Sequence, residues 1–232
     1  MTGTISHLVL AMTLFIVNHL LMSIQAFRAA ATRVLGRWGF LIAYSLIAAV
    51  FLGWTVQAYL TAPAVILFEP GTALKHTSLS LMMIAAFFVI GGYTTPNPGI
   101  MGMEEIGLRS GARGVLKITR HPVMWGVALW GISHVLGAGH LAALIFFGGM
   151  IVLALVGAHH IDIKRRAKLG DAWDRFEAET SFWPLGAVMT GKTRVEKGEI
   201  PWWQTALTLL AYAAMVWGHA TMGRDIFPMD FF

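Results

Sequence analysis

No cysteine occurs anywhere in the 232 residues, which excludes a disulfide, a thiolate metal ligand and a thiol nucleophile. Any transition metal would have to rely on histidine. Charge is scarce as well: 12% of residues are charged, against roughly 25% in soluble domains. Carboxylates are almost missing from the apolar runs, where Asp162 is the one acid, at the inner end of a run. That leaves no Ser/His/Asp set and no carboxylate pair in those runs. There is no internal repeat, no heptad pattern and no phosphate-cradling glycine motif.

What is present is apolar: 56% of residues are hydrophobic, gathered into runs of roughly 17 to 23 residues, close to the ~20 that cross a bilayer as helix. Helices satisfy their backbone groups internally where water is absent, so the predicted fold is all-α, a polytopic membrane bundle of about six transmembrane helices. A single integral membrane domain is expected over residues 1–232. The expected spans are His7 to Phe27, Trp38 to Leu60, Thr77 to Tyr93, Pro122 to Leu136, Leu141 to Ile163 and Trp203 to Thr221. The first lacks a basic leading region and a small-residue cleavage site, so it reads as a span rather than a removed signal peptide.

Fifteen of the 17 Lys and Arg residues fall in alternate connections: residues 28–37, 94–121 and 164–202. Basic residues are retained in the cytoplasm, which places those connections inside and both termini outside, in a bacterial inner membrane. Lys75 and Arg224 lie on the other side. The net charge of +5 therefore reflects topology, and no nucleic-acid partner is expected. Expected partners are membrane lipids and a hydrophobic small molecule, with homo-oligomerisation open. Residues 94–121 hold turn formers without a long helical period, fitting either a lid over a site or a plain linker. Between Gly170 and Glu179 an aromatic face of Ala172, Trp173 and Phe176 suits either the membrane surface or the bundle.

Nine histidines are present. His7, His76, His140 and His219 sit near the outer boundary, where an interfacial imidazole requires no function. His19, His121, His134, His159 and His160 remain, and ionisable groups inside a span are functional candidates by default. At ~1.5 Å rise per residue, His19 lies roughly 12 Å from Phe27, and His134 roughly 18 Å from Pro122. The two could then meet one metal-centred cofactor from opposite sides. Two neutral imidazoles on facing helices with an apolar sandwich suit haem b, with Gly131, one turn before His134, leaving room for the ring. Two histidines merely hydrogen-bonded in the bundle fit the same pattern. His159 and His160 point about 100° apart on a helix, so either could be a further ligand, a donor to one, or a lipid contact. Pro122 opens its helix at a position where no amide hydrogen is needed. Beside it, His121 and Arg120 would suit an anion such as a haem propionate or a phosphate, or a simple interfacial anchor.

The segments Asn18-His19, Thr95-Pro-Asn-Pro98, Thr119-Arg-His-Pro122, Trp130-Gly-Ile-Ser-His134 and Ile161-Asp-Ile-Lys-Arg-Arg166 together resemble the NnrU family of membrane proteins, linked to nitrite and nitric oxide respiration and grouped with the plant zeta-carotene isomerases. The resemblance spans most of residues 5–190. It implies a haem b protein with His19 and His134 as iron ligands, and redox-linked isomerase-like chemistry on a hydrophobic substrate or a role in nitrogen-oxide respiration. A looser likeness, in Arg120-His-Pro122, Lys168 to Trp173 and Trp183-Pro184, is to membrane methyltransferases that use S-adenosylmethionine, although Arg165 and Arg166 stand where acids are usual. A non-catalytic membrane assembly factor is the third alternative.

Overall fold

The computed structural model describes residues 3–222; Arg224, one of the two basic residues assigned outside, lies beyond them. The described residues form ten helices: α1 (Ile5–Ser23), α2 (Gln25–Thr61), α3 (Thr72–Thr94), α4 (Glu104–Ser110), α5 (Val115–Ile118), α6 (Pro122–Ala138), α7 (Leu141–Leu169), α8 (Asp171–Glu179), α9 (Gly186–Met189) and α10 (Trp202–Thr221). Four of these, α1, α2, α3 and α7, are long and apolar enough to cross a membrane, and α6 is a shorter apolar helix. Each of the six expected spans corresponds to one of α1, α2, α3, α6, α7 and α10. The chain is thus a helical multi-pass membrane protein.

Neighbouring helices pack in the order α10, α3, α6, α7, α1, α2, so α7 stands between α1 and α6. Small residues set these approaches. A Cβ on Gly126 would meet Val89 and the Ala85 carbonyl of α3 at 2.6 and 2.9 Å. One on Gly131 would meet Ile151 and the Phe147 carbonyl of α7 at 2.7 and 2.9 Å. The notch at Gly131, expected to admit a cofactor ring, is filled by α7.

The first basic connection is helical rather than a loop. α2 continues through it and breaks at Gly36, whose φ of 69° and ψ of 169° fall in a region essentially reserved for glycine. Residues before the break carry Arg28 and Arg33; those after Arg37 form the apolar span. The third connection folds into α4 and α5 against the bundle, with Gly107 seated on Pro98. The aromatic face of α8 also turns inward: Trp173 and Phe176 are buried in a core with Phe88, Leu116 and Trp125. The membrane-surface alternative for that segment does not hold.

The chain reverses differently at the two ends. Between α6 and α7, Gly139 adopts the left-handed conformation (φ 64°), and its carbonyl accepts from the Leu67 amide at 2.9 Å. This clasps the α2–α3 connection to the α6–α7 turn. Opposite it lies the end bearing the three basic connections, hereafter the basic end.

Candidate functional site

Two cavities divide the candidate residues. The first, at the basic end, encloses about 760 Å³ and is lined by residues of α1, α2, α3, α6 and α7, among them Arg28, Arg37, Arg120, His121 and Lys164. The second encloses about 640 Å³ towards the other end, among α2, α3, α6, α7 and α10, and its lining includes Tyr59, Ser78, His134, Phe147, Tyr212 and His219.

Arg120 and His121 reach their positions because residues 180–185 are strapped across the start of α6. The Arg120 amide donates to the Ser181 carbonyl (2.9 Å) and the Leu185 amide to the Ile118 carbonyl (2.7 Å). Trp125 Nε1 donates to the Phe182 carbonyl at 2.8 Å. The two side chains are then consumed by carboxylates: Arg120 donates to Asp162 through Nε and Nη2, with Nη2 also reaching Glu177 at 2.8 Å. His121 Nε2 lies 2.7 Å from Asp162 Oδ1. All three of Arg120, His121 and Asp162 are buried. A buried charge needs partners to offset its desolvation, and this cluster supplies them internally. Of the two roles the sequence leaves open, an anion site or an anchor, these contacts fill the anchoring one. Asp162, in turn, is not a free carboxylate for the cationic groups of S-adenosylmethionine.

Glu104 faces the same cavity and pairs with Arg165 (2.5 Å) and Lys168 (3.3 Å). Partial burial pushes its carboxyl up, but hydrogen bonds from its own backbone, Arg165 and the Gly102 amide outweigh that and hold it down to about 2.

His19 and His134 are not brought together. α1 ends at Ser23 rather than Phe27, which leaves His19 only about 6 Å from its inner end on the helical rise and widens the depth difference from His134 to about 12 Å. α7 also intervenes. His19 Nε2 is hydrogen-bonded to the Tyr44 hydroxyl at 2.9 Å, away from the second cavity. His160 ties α7 to α1, its Nδ1 lying 3.3 Å from Ser23 Oγ, and His159 is exposed on the bundle surface. Neither reaches His134.

His134 has a different companion. Its Nδ1 donates to the Trp130 carbonyl one turn earlier at 2.8 Å, and its ring stacks on Phe147 with centroids 4.5 Å apart. His219 repeats the arrangement, Nδ1 donating to the Met215 carbonyl at 2.8 Å. The two imidazole centroids lie 6.1 Å apart, and both rings line the second cavity. In each, the Nδ1 bond fixes the tautomer and leaves Nε2 with the lone pair, the form in which histidine binds a metal. His219 was set aside in the sequence as interfacial. The signal that could have found it is that His134 and His219 both lie towards the outer ends of helices, α6 and α10, that run in the same direction from the basic end.

A multi-pass helical membrane protein with paired, backbone-anchored imidazoles in an aromatic cavity is the class this structure defines. The chain belongs to the NnrU family, described as NnrU protein, which it matches over residues 7–225. Curated relatives include the chloroplastic 15-cis-zeta-carotene isomerases of Zea mays, 28% identical over 146 residues, and of Arabidopsis thaliana, 25% identical over 146 residues. In each case the match covers 60% of this chain and 40% of the relative, so less than half of those proteins is represented. No solved structure matches significantly.

Proposed function

We propose that this is an isomerase-like protein of the bacterial inner membrane that presents an elongated unsaturated molecule from the bilayer to a haem b held in the second cavity. The observation that supports it is the His134–His219 pair, each ring oriented by an anchored Nδ1 and each left with a ligating Nε2. The cavity volume of about 640 Å³ falls within the roughly 300–1,000 Å³ usual for cofactor and ligand sites. Its aromatic walls suit a flat macrocycle. The donor set therefore fits haem b better than the pairing of His134 with His19, whose Nε2 is engaged by Tyr44.

Bound haem would supply a one-electron redox centre whose state controls chemistry at a conjugated double bond. The chain's own contribution is positional. Phe147 holds the His134 plane by stacking, the Trp130 and Met215 carbonyls fix the two tautomers, and the Ser78 hydroxyl, donating to the Ser133 carbonyl at 2.7 Å, locks α3 to α6 at the cavity wall. The names of the plant relatives support a cis-double-bond substrate. The same imidazole pair would equally serve a haem acting in nitrite or nitric oxide respiration, as the family likeness implies. In this reading the basic end lies in the cytoplasm and both termini outside.

The test is an absorption spectrum of protein expressed with ample haem. A Soret band that disappears in His134→Ala is expected; a wild-type protein without the band would overturn the haem reading.

A further inference from the structure

The first cavity has an unbalanced charge that the proposed haem chemistry does not use. Six cationic side chains line it. Three are answered: Arg120 by Asp162 and Glu177, and Arg165 and Lys168 by Glu104. Arg28, Arg37 and Lys164 are in no ion pair among the described residues.

Three like charges gathered at one cavity are costly. Arg28 and Arg165 both act electrostatically on Lys164, so the fold holds these cations together against repulsion. Arg28 and Arg37 are otherwise placed over aromatic rings, at 5.6 Å from the Phe40 centroid and 5.8 Å from that of Trp38. Such contacts position a guanidinium without neutralising it. The two arginines converge on one cavity although nine residues apart, because α2 breaks at Gly36 between them. Lys164 enters from α7, across the cavity.

The remaining lining completes a recognition site. Ser23, Gln25, Thr32 and Asn97 supply neutral polar groups. Phe40, Val123, Met124 and Ile161 supply an apolar wall.

We infer that this cavity binds the phosphate end of an amphiphile, a phosphomonoester or diphosphate carried on an apolar chain, through Arg28, Arg37 and Lys164. Charge decides the class. A phosphomonoester carries roughly −1.5 to −2 at neutral pH, and a diphosphate more, which matches three unanswered cations. A single carboxylate or phosphodiester leaves most of that charge standing. Guanidinium groups also favour phosphate by paired hydrogen bonds. The inference does not depend on haem, and its site shares no residue with the His134–His219 cavity.

Calorimetric titration of the full chain in detergent, using three probes, tests it and separates the sources. Dihexanoyl phosphatidic acid represents a lipid headgroup, inorganic pyrophosphate a free anion, and dihexanoyl phosphatidylcholine a phosphodiester control. Saturable binding of phosphatidic acid, at least tenfold tighter than phosphatidylcholine, is expected; pyrophosphate binding of similar strength would assign recognition to the anion alone. The double variant Arg28→Gln/Lys164→Gln should weaken binding at least tenfold. The charge-matched double variant Arg33→Gln/Arg175→Gln, at exposed positions outside the cavity, should leave it within twofold. Should the first variant prove unfolded, the exposed Arg37→Gln alone should weaken binding at least threefold. Equal losses in the cavity variants and the Arg33/Arg175 variant, or no saturable binding of either anionic probe by the wild type, would overturn the proposal.

Discussion

At the scale of single residues, the tautomer-setting bonds of His134 and His219 separate a ligand candidate from a packed imidazole. His19 is equally intramembrane, yet its Nε2 is hydrogen-bonded to Tyr44. Arg120 and His121 illustrate the reverse case, chemically apt residues whose capacity is absorbed by Asp162. Glu104 makes a measurable prediction. Its carboxyl, held down to about 2 from an ordinary value of 4.5, binds protons less readily folded than unfolded. It therefore contributes stability that is full above about pH 4.5 and is lost as the pH falls towards 2. Glu104→Gln should lower the melting temperature at pH 6, and the gap from wild type should shrink at pH 3. A gap of the same size at both values would show that folding does not hold the Glu104 carboxyl down.

At the scale of elements, α2 departs from what the sequence suggests, and α8 settles a choice the sequence leaves open. Arg28, Arg33 and Arg37 mark a polar connection correctly, but a backbone break at one glycine leaves no trace in hydropathy, so a helix with a kink and a loop look alike. Gly36→Ala forces a side chain into the φ 69°, ψ 169° region, at a cost of about 1–3 kcal/mol. It should also weaken phosphatidic acid binding by changing the angle between Arg28 and Arg37; full retention of binding would dissociate the kink from the cavity. In α8 the aromatic period was legible, but its destination was not, since lipid and protein interiors are both apolar. Trp173 is 0% exposed, and Trp173→Ala should destabilise the protein by about 3–5 kcal/mol, read as a lowered denaturation midpoint in detergent. A cost below 1 kcal/mol would place that ring outside the core.

At the scale of the whole molecule, length, apolarity and the alternation of basic connections made the all-helical membrane architecture readable from sequence. Which helices adjoin was not readable, because small residues such as Gly126 and Gly131 occur on several faces and do not name their partners. The same ambiguity lets His19 and His134 pass for a pair in sequence, since the apolar run extends four residues beyond the end of α1 at Ser23 and nothing in it marks the intervening α7. The orientation is testable with little background, since the natural sequence contains no cysteine. Glu69→Cys, in the connection between α2 and α3, should react in intact cells with a membrane-impermeant maleimide. Lys192→Cys, among the basic connections, should react only after permeabilisation. The opposite pattern would invert the protein.

The pairing of His134 with His219 is tested most directly by measuring haem content and the Soret band side by side in His219→Ala and His19→Ala, each purified from haem-supplemented cells at equal protein concentration. The geometry predicts loss or a marked shift of the band in His219→Ala and a wild-type spectrum in His19→Ala. A band lost with His19 and kept without His219 would contradict it.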